Sequence, residues 1–342
     1  MRPLFHPQLI NNVFGDPGLY VDCLFQKRAL LFDLGDIRAL APRKILRISH
    51  AFISHTHMDH FMGFDWLLRI CLGRERMMHL YGPPGFLDQV EHKLSAYTWN
   101  LVHNYETDFT LRVCEIEPEK FKRCATFRCK NAFRKENETR ENFPCDVLLD
   151  EDLFRISTVM LDHRTPSLAF TLEEKSHVNI WKNRLDEMGL VTGRWLQLLK
   201  RAVIRGDPDD TPMDVQYRDK TSTSPIALGL LKENVVRIVP GQKITYVTDA
   251  VYHQVNAEKI VKLAKDSDLL FIESTFLDEL SDRAAEKFHL TAKQAGLLAR
   301  QASVKQVIPF HISPIYIGEE ERVHAELQQA FLDGENPEPQ RR

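Results

Sequence analysis

Four residues able to ligate a metal fall within six positions at His55-Thr56-His57-Met58-Asp59-His60. Imidazole and carboxylate are the ordinary donors for a hydrolytic metal site. Ala51-Phe52-Ile53-Ser54, just upstream, is a short apolar run that reads as a buried strand entering the motif. If strand geometry persists through His57, a period of two puts His55 and His57 on one side, where both rings can reach one ion. Asp59 and His60 then sit at the turn into a helix expected over residues 61–72, placed to serve a second ion. The chain holds 14 histidines, and isolated ones such as His6, His50, His79, His92, His103, His177, His253 and His324 read as ordinary core or surface residues.

The remaining donors lie farther along. Apolar strands are followed by Asp162-His163, by Asp249 and by His311. Strand exits at one sheet edge converge on one cleft, so these positions can complete the site. A carboxylate such as Asp249 is the natural bridge, since its two oxygens can address two cations. Two ions roughly 3.5 to 4 Å apart can activate water and stabilise both oxygens of an in-line displacement. That chemistry favours a binuclear hydrolase over a structural zinc site, for which four closed ligands suffice.

Strand and helix patterns alternate around these residues. Strands are expected at 18–25, 29–33, 77–81, 109–116, 153–161, 167–172, 243–248, 269–272 and 305–310. Helices are expected at 43–47, 86–97, 257–264, 292–302 and 319–332. Glycine in Asp33-Leu34-Gly35-Asp36 is expected to permit a sharp turn at the sheet edge. Residues 176–235 break this rhythm with helical segments near 180–188 and 194–204. They read as an inserted arm or lid rather than a second core, because their apolar content is thin. Its cations Arg194, Lys200, Arg201 and Arg205 can meet a polyanion or line a solvated face. Residues 120–140 interleave cations with Phe121, Phe127 and Phe133; a strand pair with one solvated face is favoured over a nucleic-acid strip. The Pro-rich tail Asn336–Arg342 is expected to fray.

The length allows one large domain or two ordinary ones, and 43% hydrophobic content suffices for a sizeable core. A formal net charge of −3 does not advertise nucleic-acid binding. No apolar run approaches the roughly 18 residues of a spanning helix, and no leader is visible, so a soluble cytoplasmic protein is expected. The six cysteines (23, 71, 114, 124, 129 and 145) form no C-x-x-C pair and are expected to be free thiols.

The six-residue motif, with His163, Asp249 and His311 following in order, resembles the ligand series of the metallo-β-lactamase superfamily. Within it the chain is similar to the ribonuclease Z family, endonucleases that remove 3′ trailers from precursor tRNA. Leu161-Asp162-His163, Glu273-Ser274-Thr275-Phe276, Phe288-His289-Leu290-Thr291-Ala292 and Pro309-Phe310-His311-Ile312-Ser313-Pro314 carry that likeness. The resemblance implies a four-layer αββα sandwich over residues 1–342, with the arm inserted at about 176–235. It implies one zinc on His55, His57 and His163, a second on Asp59, His60 and His311, and Asp249 bridging. The same ligands also accept manganese or iron. Asp59 is implied as proton acceptor for the attacking water, and His289, oriented by Glu273, as the group that assists the scissile phosphate or leaving oxygen. An RNA substrate, precursor tRNA, and a homodimer are implied as well. The sequence departs from the family at Ile272, where a histidine is usual, in its opening segment His6–Gly18, and in the proline-free stretch Gly189–Trp195 of the arm. Two rival functions follow from the same residues: a hydrolase of a small ester, lactone or cyclic nucleotide, and a non-catalytic RNA- or protein-binding module.

Overall fold

The computed structural model describes residues 4–24, 26–118, 121–142, 146–175, 177–219 and 224–333. Lys120, Cys145 and the Asn336–Arg342 tail lie outside them. Eight strands follow one another in both chain and space: β1 (Phe5–Leu9), β2 (Leu19–Cys23), β3 (Arg28–Phe32), β4 (Ile48–Phe52), β5 (Arg76–Gly82), β6 (Phe109–Glu117), β7 (Phe121–Arg128) and β8 (Lys135–Asn142). The central pairs β3–β4, β4–β5 and β5–β6 are parallel, and both flanks are antiparallel. The chain continues through β9 (Val147–Asp150), β10 (Phe154–Asp162), β11 (Pro166–Glu174), β12 (His177–Ile180), β13 (Pro212–Met213), β14 (Ile226–Ala227), β15 (Val236–Val239), β16 (Lys243–Val247), β17 (Leu269–Glu273) and β18 (Val307–Phe310). A second sheet has the order β18-β17-β16-β11-β10-β9, with β16, β17 and β18 parallel.

Alternation along the strands makes the layers. Ala29 and Leu31 of β3 join Ala51, Leu80 and Val113 against helices Phe64–Cys71 and Phe86–Ser95. The first of these helices buries Phe64, Leu67, Leu68 and Cys71, the i, i+3, i+4, i+7 stripe of an amphipathic helix. Phe32 and Phe52 point the other way and meet Phe170 of β11, with ring centroids 5.8 and 5.6 Å apart; Phe32 also meets Tyr246 of β16 at 5.9 Å. On the far face of the second sheet, Val247, Leu270 and Ile272 pack with Ile260, Leu298, Val323 and Leu327 of helices Gln254–Ala264, Ala292–Gln301 and Glu320–Asp333. Helix, sheet, sheet and helix are therefore the four layers.

Three local expectations change. The helix expected over 61–72 is two, Met58–Phe61 and Phe64–Cys71, interrupted at Gly63. There the backbone N–H of Gly63 donates to Leu34 at 2.8 Å, and a Cβ on Gly63 would lie 2.1 Å from the Gly35 carbonyl oxygen. The left-handed residue of the Asp33–Gly35 loop is Asp33, at φ 57°, so Gly35 is needed for close approach rather than for a left-handed turn. The expectation of free thiols fails at one pair. Cys114 and Cys124 face each other in the antiparallel register of β6 and β7 and form a disulfide, whereas Cys23, Cys71 and Cys129 are free and buried. Register across a hairpin, not short-range cysteine spacing, makes that pair. The basic run of β7 and β8 is neutralised locally: Arg123 meets Glu115 at 3.2 Å, Lys135 meets Glu91 at 2.6 Å, and Arg140 meets Glu117 at 2.7 Å.

The chain divides into two compact units, one of Met1–Leu4, Leu149–Ile156 and Leu172–Gln242 and the other of Phe5–Leu148, Ser157–Thr171 and Lys243–Arg342. The smaller has an apolar core of its own, including Val178, Leu185, Trp195, Leu199, Leu228, Leu231 and Val235. Its apolar residues are spread over helices Lys182–Glu187, Trp195–Arg205 and Leu228–Val235, so their local density along the chain is low although their faces converge. Within it Arg205 is paired with Asp207 at 2.6 Å, and burial lowers the pKa of Lys200. No helix among the described residues is long and apolar enough to cross a membrane.

Replacing Gly63 with alanine drives a methyl group into the Gly35 backbone and should cost about 1–3 kcal/mol, the usual penalty for overpacking. A lower denaturation midpoint is expected, and an unchanged midpoint would contradict the close approach.

Candidate metal centre

All nine residues singled out from the sequence lie in the larger unit, and the loops that leave its strands bring them together. Strand β4 stops at Phe52, so His55 and His57 do not meet by strand alternation. The Leu168 N–H holds the Ser54 carbonyl at 2.8 Å, and the following loop brings His55 Nε2 to 2.9 Å from His57 Nδ1. His57 precedes the helix Met58–Phe61, which carries Asp59 and His60.

Asp249 is the centre of this arrangement. It is buried, its backbone has a φ of 28°, and Thr248 donates its hydroxyl to Oδ1 at 2.8 Å. Its Oδ2 lies 3.6 Å from His55 Nε2, 3.5 Å from His60 Nε2 and 3.4 Å from His163 Nε2, and its Oδ1 lies 2.9 Å from His311 Nδ1. Asp59 Oδ2 faces His60 Nε2 at 3.4 Å and His311 Nε2 at 3.3 Å. Three overlapping donor groups result: His55, His57, His163 and Asp249; Asp59, His60 and His311; and Asp249, Glu273, His289 and His311.

The surrounding contacts orient these rings. His163 Nδ1 bonds the Phe288 carbonyl at 2.8 Å, which leaves Nε2 free to face Asp249. His60 Nδ1 donates to Asp33 Oδ2 at 2.9 Å. The same buried Asp33 accepts from the backbone and hydroxyl of Ser54 at 2.7 and 2.9 Å and from the Tyr246 hydroxyl at 2.9 Å. Ser54 thereby commits its proton to Asp33 and accepts from His55 Nδ1 at 3.0 Å, leaving His55 Nε2 as a lone-pair donor. Asn256 ties two ligand loops together: its amide donates to the Asp162 and Val251 carbonyls, both at 2.9 Å, and accepts from the Asp162 N–H at 3.0 Å.

These donors fit a divalent cation. His60 Nε2 and His311 Nδ1 are buried without a hydrogen-bond partner. Burial and the neighbouring His60 ring push His55 down to about 2, so its ring is neutral. Burial opposes charge on His60 and His311 too, but Asp249 outweighs it, raising His60 to about 10 and His311 well above the ordinary range. Burial would raise Asp59 as well; contact with His311 and the charge of His60 reverse this and bring it to about 2. The side chains alone therefore leave protons on His60 and His311 between Asp59 and Asp249, and a cation binding there would displace them.

His289 stands beside this centre. Its Nδ1 donates to Glu273 Oε2 at 2.7 Å and lies 4.0 Å from Asp249 Oδ2. Glu273 is fully buried and also accepts from the Ala250 N–H at 2.7 Å, the Leu290 N–H at 3.3 Å and the Thr275 hydroxyl at 2.8 Å. A capping box between Thr291 and Gln294 starts the next helix and fixes the His289 loop. Burial would lower the His289 pKa, but Glu273 outweighs it and the pKa is raised. A cleft of about 510 Å³ opens over the centre, lined by His57, Asp59, His163, Asp249, His289 and His311 together with Arg164, Thr165, Lys287 and Phe288.

Sequence reasoning missed Asp33, Ser54, Tyr246 and Asn256 as orienting groups. Asp33 was within reach, since it stands at the exit of β3 just as Asp249 follows β16 and His311 follows β18. The other three are recognisable only through three-dimensional contacts.

Residues 223–312 match the family model described as beta-lactamase superfamily domain. Among solved structures, the metallo-β-lactamase fold protein YhfI from Bacillus subtilis superposes with a TM-score of 0.53 at 13% identity, covering 95% of this chain and 92% of its own. The chain has the metallo-β-lactamase fold. It is also similar to ribonuclease Z of Deinococcus radiodurans, 27% identical over 84% of this chain and 83% of that protein. The short form of human tRNase Z superposes with a TM-score of 0.51 at 19% identity, covering 92% of each chain.

Exchanging Glu273 for glutamine removes the charge that raises His289. The pKa of His289 should then fall, and with it the protonated fraction at neutral pH, so the alkaline limb of the activity profile should move to lower pH. A profile that keeps its wild-type alkaline limb would contradict this coupling.

Proposed function

We propose that the protein is a metal-dependent phosphodiesterase acting as an endoribonuclease, with the 3′ end of precursor tRNA as its substrate. Similarity to proteins named ribonuclease Z over most of the chain supports the substrate class. The observation that carries the reading is the contact of His289 with the buried Glu273, 2.7 Å long, beside the Asp249-centred donors. A metal store or a binding module has no need of an imidazole held above its ordinary pKa next to the ligands.

In this reading His55, His57 and His163 would hold one zinc and Asp59, His60 and His311 a second, with Asp249 available to both. Bound divalent cations supply Lewis-acid stabilisation of phosphoryl charge and lower the pKa of water. The chain's own residues supply the rest. Asp59, its side chain 42% exposed at the cleft, can take up the proton of the attacking water, a role that competes with ligation. Protonated His289, held by Glu273, donates to the leaving oxygen or to the scissile phosphate as charge develops.

Incubation of the metal-loaded protein with end-labelled precursor tRNA should give one cut at the 3′ trailer. Failure to cut, with preferential hydrolysis of a lactone, would overturn the reading. His289→Ala should lower kcat about 10²–10⁴-fold, the usual contribution of a general acid or base, while the zinc content stays at the wild-type level. Full activity in this variant would remove His289 from the mechanism.

A further inference from the structure

Two bulky residues of the cleft wall have left-handed backbones. Arg164, directly after His163, has a φ of 59°, and Phe288, directly before His289, has a φ of 62°. Such conformations are uncommon for a long side chain and an outlier for an aromatic one, and they persist where surrounding contacts enforce them. The Asp162 carboxylate enforces the first by accepting the Arg164 N–H at 2.8 Å. Phe288 ends the helix Ser281–Lys287 at the position where glycine is the usual residue, and its carbonyl accepts from His163. Glycine would serve that backbone with less strain, so the phenyl group has a use of its own.

The two side chains meet. The Arg164 guanidinium carbon lies 5.0 Å from the centroid of the Phe288 ring, within cation–π range. Both residues line the cleft, as does Lys287, and Arg164 and Lys287 are exposed. Neither cation has a carboxylate partner among the described residues. Two unneutralised charges and an arginine laid over an aromatic ring thus stand at the entrance to a centre rich in carboxylates. A polyanion must pass that entrance.

We propose that Arg164, Lys287 and Phe288 form a nucleotide subsite of the cleft, binding the RNA nucleotide next to the scissile phosphate. Arg164 and Lys287 contact its phosphate. The Arg164–Phe288 pair provides the stacking surface for its base, as guanidinium planes and aromatic rings do for unstacked RNA. The subsite rests on the ribonuclease reading and adds to it the residues that select RNA over a small phosphodiester.

The test uses the full-length, zinc-loaded protein and three substitutions, Arg164→Ala, Arg164→Lys and Phe288→Leu, the last keeping bulk without the ring. Cleavage of a precursor tRNA is compared with that of bis(p-nitrophenyl) phosphate, and binding of a non-cleavable single-stranded RNA is followed across salt concentration. Arg164→Ala should lose about tenfold more kcat/KM on the RNA than on the small ester. Its log–log salt slope should shrink by about 0.7, one phosphate contact to a single strand. Arg164→Lys should restore the slope but only part of the affinity, because an ammonium lacks the planar face. Phe288→Leu should weaken RNA binding with the slope unchanged. Equal losses on both substrates, or RNA binding at wild-type strength in all three variants, would overturn the subsite while leaving the ribonuclease reading in place. Wild-type protein that neither binds nor cuts RNA would overturn both.

Discussion

A carboxylate buried among imidazoles is tolerated only if its charge is answered, and Asp249 is such a group. It is almost wholly excluded from water, and four histidines approach its two oxygens within 3.6 Å. Removing one partner from a buried charge costs about 3–5 kcal/mol, so the surrounding loops are constrained to deliver their rings to this point. The positive φ at Asp249 and at His311 shows that the backbone itself bends to meet the constraint. Fold and chemistry are joined there, because the charge that demands the histidines is also the charge that would bind cations.

Two further buried carboxylates hold the centre from either side. Asp33 accepts four hydrogen bonds, from Ser54 twice, His60 and Tyr246; Glu273 accepts four, from Ala250, Thr275, His289 and Leu290. Tyr246 lies in the second sheet and Ser54 in the loop after β4 of the first, so Asp33 links the two layers as well as orienting His60. Glu273 binds the loop after Asp249 to the loop carrying His289. Each of these groups turns a flexible ring into one with a fixed direction, which is what catalysis by position requires.

The clustering of His and Asp donors was legible because it follows local rules, and the four-layer plan because of the family resemblance. Apolar strands ending in a single polar residue mark the exits of β16 and β18, and His55 to His60 are adjacent in the chain. What escaped depends on contacts between distant segments. The break at Gly63 arises from the passage of the Asp33–Gly35 loop, the Cys114–Cys124 bond from hairpin register, and the core of the smaller unit from the convergence of apolar faces on three separate helices with residues such as Val178, Met213 and Val215. Arg164 and Phe288 were passed over for a related reason: neither residue type signals a site, and their left-handed backbones cannot be read from the sequence.

In the proposed reading Asp249 would hold two cations together with the six ligands around it. Zinc content by mass spectrometry, measured on wild-type protein and on Asp249→Ala after loading and desalting, tests this most directly. The account predicts two zinc ions per wild-type chain and loss of at least one in the variant, with the circular dichroism of both unchanged. Two zinc ions retained in folded Asp249→Ala protein would contradict it.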